Sequence, residues 1–180
     1  DHPEAKPVFD FDAVALLNAI TTLGQGHDIH NNPLRGTPEF FAGAVTNPGA
    51  DDLDWEINRL GQKIDAGAQF FQTQAVYDPA TYEKFANAVA KYNLPFLPSI
   101  ILLKSGDMAR FLNDKVPGIT VPDAIIEKMD NAATPEEKSA QSIEIAAKTI
   151  RELKPMCQGV HLIAAGWESK LPQVIKLATS

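Results

Sequence analysis

Phe70-Phe71-Gln72-Thr73-Gln74-Ala75-Val76-Tyr77-Asp78 begins as a strand suited to burial and ends on polar groups. Two aromatic residues and a β-branched Val76 fit a packed, pleated surface. The two glutamines and Thr73 fit an apolar interior only when they are paired. Asp78-Pro79 then opens a helix, with Asp78 as N-cap and Pro79 at the first helical position. A strand therefore carries amide side chains toward its C-terminal end, just before a strand-to-helix loop. In α/β folds that end is where ligands bind.

Outward from this stretch, strands and helices alternate. Toward the N-terminus, Asp12 caps a predicted helix over 13–23, with Val14, Leu17, Ile20 and Leu23 on one stripe. Residues 24–38 carry Gly, Asn and Pro throughout and read as a loop. His27, Asp28 and His30 fall in that loop. No third metal ligand of the right spacing accompanies them, so no metal site is predicted. Phe40 to Val45 reads as a buried strand, Thr46-Asn47-Pro48-Gly49 as a turn, and 52–66 as a helix. Arg59 and Lys63 stand four apart on one face of that helix. Such a pair serves either as a phosphate clamp or as a solvated basic stripe, and the spacing alone favours the stripe.

Toward the C-terminus the same alternation continues. A helix is expected over 79–92 and a near-continuously apolar strand over 95–103, of the kind covered on both faces. A helix over 105–114 and a Pro/Gly loop over 116–122 follow. Two helices are then expected, 122–131 and 135–153, the second opened by Thr134-Pro135-Glu136-Glu137. A last strand is expected over 159–166, and a closing helix carries Leu171, Val174, Ile175 and Ala178. Strands alternating with helices imply a parallel sheet with right-handed crossovers. A flat doubly wound sheet and part of a (β/α)8 barrel both satisfy this order. A complete barrel typically needs ~250 residues, and the chain has 180. No Gly-x-Gly-x-x-Gly fingerprint or P-loop is present.

Composition narrows the function classes. The chain is 44% hydrophobic and 22% charged, with a net charge of -7. That balance suits a single globular domain and argues against nucleic acid or an anionic membrane as the main partner. The single Cys157 excludes an intrachain disulfide and fits a reducing, cytoplasmic compartment. No apolar run approaches the ~20 residues of a spanning helix. The chain opens Asp1-His2-Pro3 without Met, which leads us to expect a processed or trimmed chain.

Several segments together resemble the methylenetetrahydrofolate reductase family. They are Asp1-His2-Pro3, Gly43-Ala44-Val45-Thr46-Asn47-Pro48, Arg59-Leu60-Gly61-Gln62-Lys63-Ile64-Asp65-Ala66-Gly67-Ala68, Phe71 through Asp78, and Gly159-Val160-His161-Leu162. The resemblance implies the C-terminal half of a (β/α)8 barrel, strands five to eight. It also implies FAD (FMN less so) as cofactor and NADH, NADPH or a protein as hydride donor. The implied reaction is reduction of 5,10-methylenetetrahydrofolate to 5-methyltetrahydrofolate.

By the same resemblance, Asp1 is the carboxylate that contacts the pterin and tunes the flavin. Gln74 is the amide that meets folate and, in the other half-reaction, the nicotinamide. Gln72 lies on the same strand face, one layer deeper, while Thr73 is expected to face the covering helices. Arg59, Gln62 and Lys63 fall on the helix that reaches the FAD phosphates and ribose. Asn47 stands where many members carry a flavin-contacting tyrosine. Trp167 replaces a folate-contacting arginine, and Lys104-Ser105-Gly106 lacks the usual substrate-packing aromatic. The general-acid glutamate belongs to an early strand that this sequence does not contain. Another chain, a second copy or further residues would then complete the barrel. Two alternatives stay open. One is a non-catalytic folate-binding or assembly subunit. The other is an aldolase-type barrel using Lys104 as a Schiff-base lysine.

Overall fold

The computed structural model describes residues 10–180; Asp1 lies outside the described residues. Helix α1 (Ala13–Gly24) is capped by Asp12, whose carboxylate accepts the Ala15 N–H at 2.8 Å. Strand β1 (Gly43–Thr46) leads into α2 (Leu53–Asp65), and β2 (Phe70–Ala75) into α3 (Pro79–Val89) with a 3-10 turn over Ala90–Tyr92. Strand β3 (Phe96–Ile101) is followed by α4 (Gly106–Lys115), α5 (Asp123–Asn131) and α6 (Pro135–Leu153). Strand β4 (His161–Ile163) and α7 (Leu171–Thr179) close the chain.

The four strands are all parallel and lie in the order β1-β2-β3-β4. That order separates the two folds that alternation alone left open. A doubly wound sheet reverses direction at a switch point, placing helices on both faces. Strictly sequential parallel strands with right-handed crossovers put every covering helix on one face. The structure is therefore a partial (β/α) barrel.

Burial follows the same logic. Along β2, Phe71, Thr73 and Ala75 are buried while Phe70, Gln72 and Gln74 are half-exposed. Phe71, Phe96 and Ile100 pack with Leu17, Leu60, Tyr82, Phe85, Ile143, Ala147, Leu153 and Val174 in the main core. A second cluster joins Ala75, Tyr77 and Leu103 to α4, α5 and Ile145. The opposite face of the sheet, the inward face of a barrel, is left open by the described residues.

That open face corrects the expected buried strand at Phe40–Val45. The strand is Gly43–Thr46, and Phe40, Phe41 and Val45 are 51%, 69% and 60% exposed. These residues are apolar because they stand on the inward face or next to it, not because helices cover them. Phe41 and Phe70 stack at 5.2 Å between ring centroids, and a Cβ on Gly43 would overlap the Phe70 ring. The last strand is also shorter than expected: Ala165 and Gly166, both at positive φ, turn the chain just past it. In the 24–38 loop, Asp28 accepts the backbone N–H groups of His30 and Asn32, so its carboxylate organises the turn. Among the described residues no group of three His, Cys, Asp or Glu is placed to hold a metal, and no helix is long and apolar enough to cross a membrane.

Candidate functional site

The polar end of β2 meets two loops. Gln74 Nε2 donates to the Pro117 carbonyl at 3.4 Å, and Gln74 Oε1 accepts the Ala75 N–H at 3.3 Å. Pro117 belongs to the loop between α4 and α5, which folds back over the strand ends. Gly118, at φ +78°, lies so close to Asn47 that a Cβ there would overlap the Asn47 amide. Asn47, in the loop after β1, accepts the Gly49 N–H on Oδ1 at 3.0 Å. One loop thus brings Gln74 and Asn47 together. Gln72 lies deeper on the same face, paired in register with Val45.

Beneath Asn47 is a group that sequence reasoning missed. Glu56, in the first turn of α2, is 7% exposed, and its Oε1 accepts both Thr46 Oγ1 at 2.8 Å and the Asn47 N–H at 3.0 Å. It satisfies two donors at the C-terminal end of β1 and so fixes the loop that carries Asn47. The available signal was its place on the inward stripe, three residues after Leu53 and four before Leu60.

Arg59, Gln62 and Lys63 form a separate group along α2. Arg59 Nη1 donates to Gln62 Oε1 at 2.7 Å, and its other nitrogen pairs with Asp12 at 3.1 Å. Lys63 Nζ donates to the Val45 carbonyl at 2.7 Å, on the edge of β1 away from β2. Partial burial lowers the Lys63 pKa from its ordinary value, partly offset by the Glu56 carboxyl. Two cations and an amide on one helix face fit an anionic group such as a diphosphate. All three are already engaged, Arg59 by Asp12, Gln62 by Arg59 and Asn58, and Lys63 by the Val45 carbonyl, so a ligand there would exchange these partners.

Thr73 is buried, and its hydroxyl, expected to face the covering helices, bonds within the sheet: Oγ1 donates to the Gln74 carbonyl at 2.6 Å. Lys104 is exposed, with Nζ 6.0 Å from the Trp167 ring centroid. A cleft of about 360 Å³ opens beside the site, lined among others by Pro48, Gly49, Ala75, Tyr77, Gly118 and Thr120. Gln74 is not part of its lining; it stands on the open inward face, where a barrel ligand would lie.

Sequential parallel strands covered by helices on one face make this a (β/α)-barrel class of protein. The methylenetetrahydrofolate reductase family model matches residues 11–179, and the chain belongs to that family. It is 26% identical over 134 residues to methylenetetrahydrofolate reductase 2 of Schizosaccharomyces pombe, covering 67% of this chain. It is 28% identical over 122 residues to methylenetetrahydrofolate reductase 1 of the same yeast, covering 62% of this chain. The matched region is 20% of the length of each yeast protein. A solved structure of an uncharacterized protein from Clostridium thermocellum that binds two copies of 5-methyl-5,6,7,8-tetrahydrofolic acid is similar in fold. Its TM-score is 0.51 at 21% identity, over 76% of this chain and 51% of that one. Family membership displaces the aldolase-type alternative.

Proposed function

We propose that this chain forms the folate-binding part of a flavin-dependent reductase that converts 5,10-methylenetetrahydrofolate to 5-methyltetrahydrofolate. The observation that carries this reading is the placement of Gln74. Its amide sits at the C-terminal mouth of β2, held from both ends by exchangeable backbone partners. An amide both donates and accepts. It can therefore exchange Ala75 and Pro117 for the mixed donor–acceptor edge of a pterin or for the carboxamide of a nicotinamide. Gln72 supports it from the layer below. Lys63 and Gln62, with Arg59, would hold the phosphates and ribose of FAD. Bound flavin would supply the hydride relay between NADH or NADPH and folate. A carboxylate at Asp1 would disfavour added negative charge on that ring.

The inward face and the edge of β1, open and unpaired among the described residues, support a second element of the reading. Further residues of the same protein, or a partner chain, complete the barrel. A non-catalytic folate-binding subunit is favoured by one specific observation: Trp167, beside Lys104, occupies the position at which the resemblance places a folate-contacting arginine.

Three measurements on the full-length protein test these readings. A flavin absorption band bleached by reduced nicotinamide is expected for the reductase. Colourless protein that still binds 5-methyltetrahydrofolate would replace it with the binding subunit. Folate affinity unchanged in Gln74→Ala would remove Gln74 from the site.

A further inference from the structure

The aim of the Gln74 side chain is set by a fault in the ladder between β2 and β3. Phe71 N–H donates to the Pro95 carbonyl and Val76 N–H to the Ser99 carbonyl; between these bonds β2 advances five residues and β3 four. The register shift falls between Gln72 and Ala75. A bulge of this kind twists the strand locally and re-aims a side chain.

Hydroxyl groups stitch the fault. Ser99 N–H donates to Thr73 Oγ1 at 3.2 Å, and Ser99 Oγ donates to the Thr73 carbonyl at 2.5 Å. Thr73 Oγ1 spends its own proton on the Gln74 carbonyl. Each hydroxyl has one proton, so Ser99 Oγ can only accept from His161 Nδ1, 3.0 Å away. His161 therefore carries a proton on Nδ1. Ser99 and Thr73 are 2% and 4% exposed, which shields these bonds from water.

The consequence appears at Ala75. Val76 N–H takes the Ser99 carbonyl, and the Ala75 N–H binds Gln74 Oε1. That contact fixes the oxygen end of the amide and turns Nε2 outward toward Pro117. We propose that Ser99, anchored by His161 and Thr73, is the positioning residue for Gln74. It maintains the bulge at which the Ala75 N–H orients the amide. This proposal rests on Gln74 being the folate contact.

The test is calorimetric binding of 5-methyltetrahydrofolate to the full-length protein. Ser99→Ala should weaken binding roughly tenfold, the equivalent of about one hydrogen bond, and Ser99→Thr should restore much of it. Ser99→Ala added to Gln74→Ala should cost nothing further. Ser142→Ala is the control, since that buried hydroxyl has no partner among the described residues. Normal binding by Ser99→Ala alongside weakened binding by Gln74→Ala overturns the proposal and leaves the folate contact standing. Independent, additive losses overturn it too.

If Gln74→Ala binds normally, the folate reading fails, and the side-chain amide NMR signal of Gln74 decides the positioning claim. A shift in Ser99→Ala but not in Ser142→Ala supports it; no shift overturns it. Should Ser99→Ala fail to fold, Thr73→Val breaks the same crossed pair, and the same outcomes apply.

Discussion

Glu56 Oε1 holds Thr46 Oγ1 and the Asn47 N–H at once, at 2.8 and 3.0 Å, from a position almost sealed from solvent. Truncation to Ala would leave both donors unpaired at the end of β1. Glu56→Ala should therefore lower unfolding free energy by on the order of 2–4 kcal/mol, since each orphaned buried group costs about 1–3 kcal/mol. Glu56→Gln keeps an acceptor oxygen and should cost far less. Urea midpoints for the two variants check this, and equal losses would show that the charge, not the acceptor, matters.

Gly118 should not tolerate a side chain. Its φ of +78° costs an L-residue about 1–2 kcal/mol, and a Cβ would push on the Asn47 amide. Gly118→Ala should destabilise the protein and loosen the Pro117 carbonyl from Gln74. Thermal unfolding measures the first effect and folate affinity the second. Wild-type behaviour in both would contradict the packing of this loop over the site.

Lys63 gives a signed pH dependence. Desolvation lowers its native pKa below that of the unfolded chain, so in the window between the two values the unfolded state binds more protons. The cost of burying the charge is full below the native pKa and is relieved as pH rises through it. The stability of wild type relative to Lys63→Met should thus improve from neutral to alkaline pH. Paired denaturant titrations check the sign; a gap that is flat or moves the other way refutes the burial of Nζ.

Burial pushes the Cys157 thiol above the usual cysteine range. Its reaction with a disulfide reagent should run slower than that of glutathione at mildly alkaline pH, and should quicken as pH rises further. Unfolding in urea should remove the difference. A rate already saturated at neutral pH would be the contrary result.

Much of the architecture is legible because local chemistry repeats itself. Asp12, Asp52, Asp78, Ser105 and Thr134 all cap helices through side-chain oxygens, and apolar stripes mark the covered faces. Strand order is not legible, since a crossover helix has the same composition in an open sheet and in a barrel. The limits of β1 were misread because inward-facing apolar residues of a barrel look like core. Glu56 hides among the acidic residues of a first helical turn, where a carboxylate ordinarily serves the helix dipole. The bulge at Thr73–Gln74 leaves no mark in the sequence, because Thr and Ser are as common in regular strands as in faulted ones. Gln74 itself was legible from the polar end of its strand; the partners that aim it were not.

Gly43 and Phe70 occupy, in effect, one volume. The ring of Phe70, stacked on Phe41, spreads over the space that a side chain at position 43 would fill. A side chain at 43 would have to displace that ring. At this end of the sheet one ring thus lies across two strands, and a side chain on the first strand competes with the ring of the second for the same place.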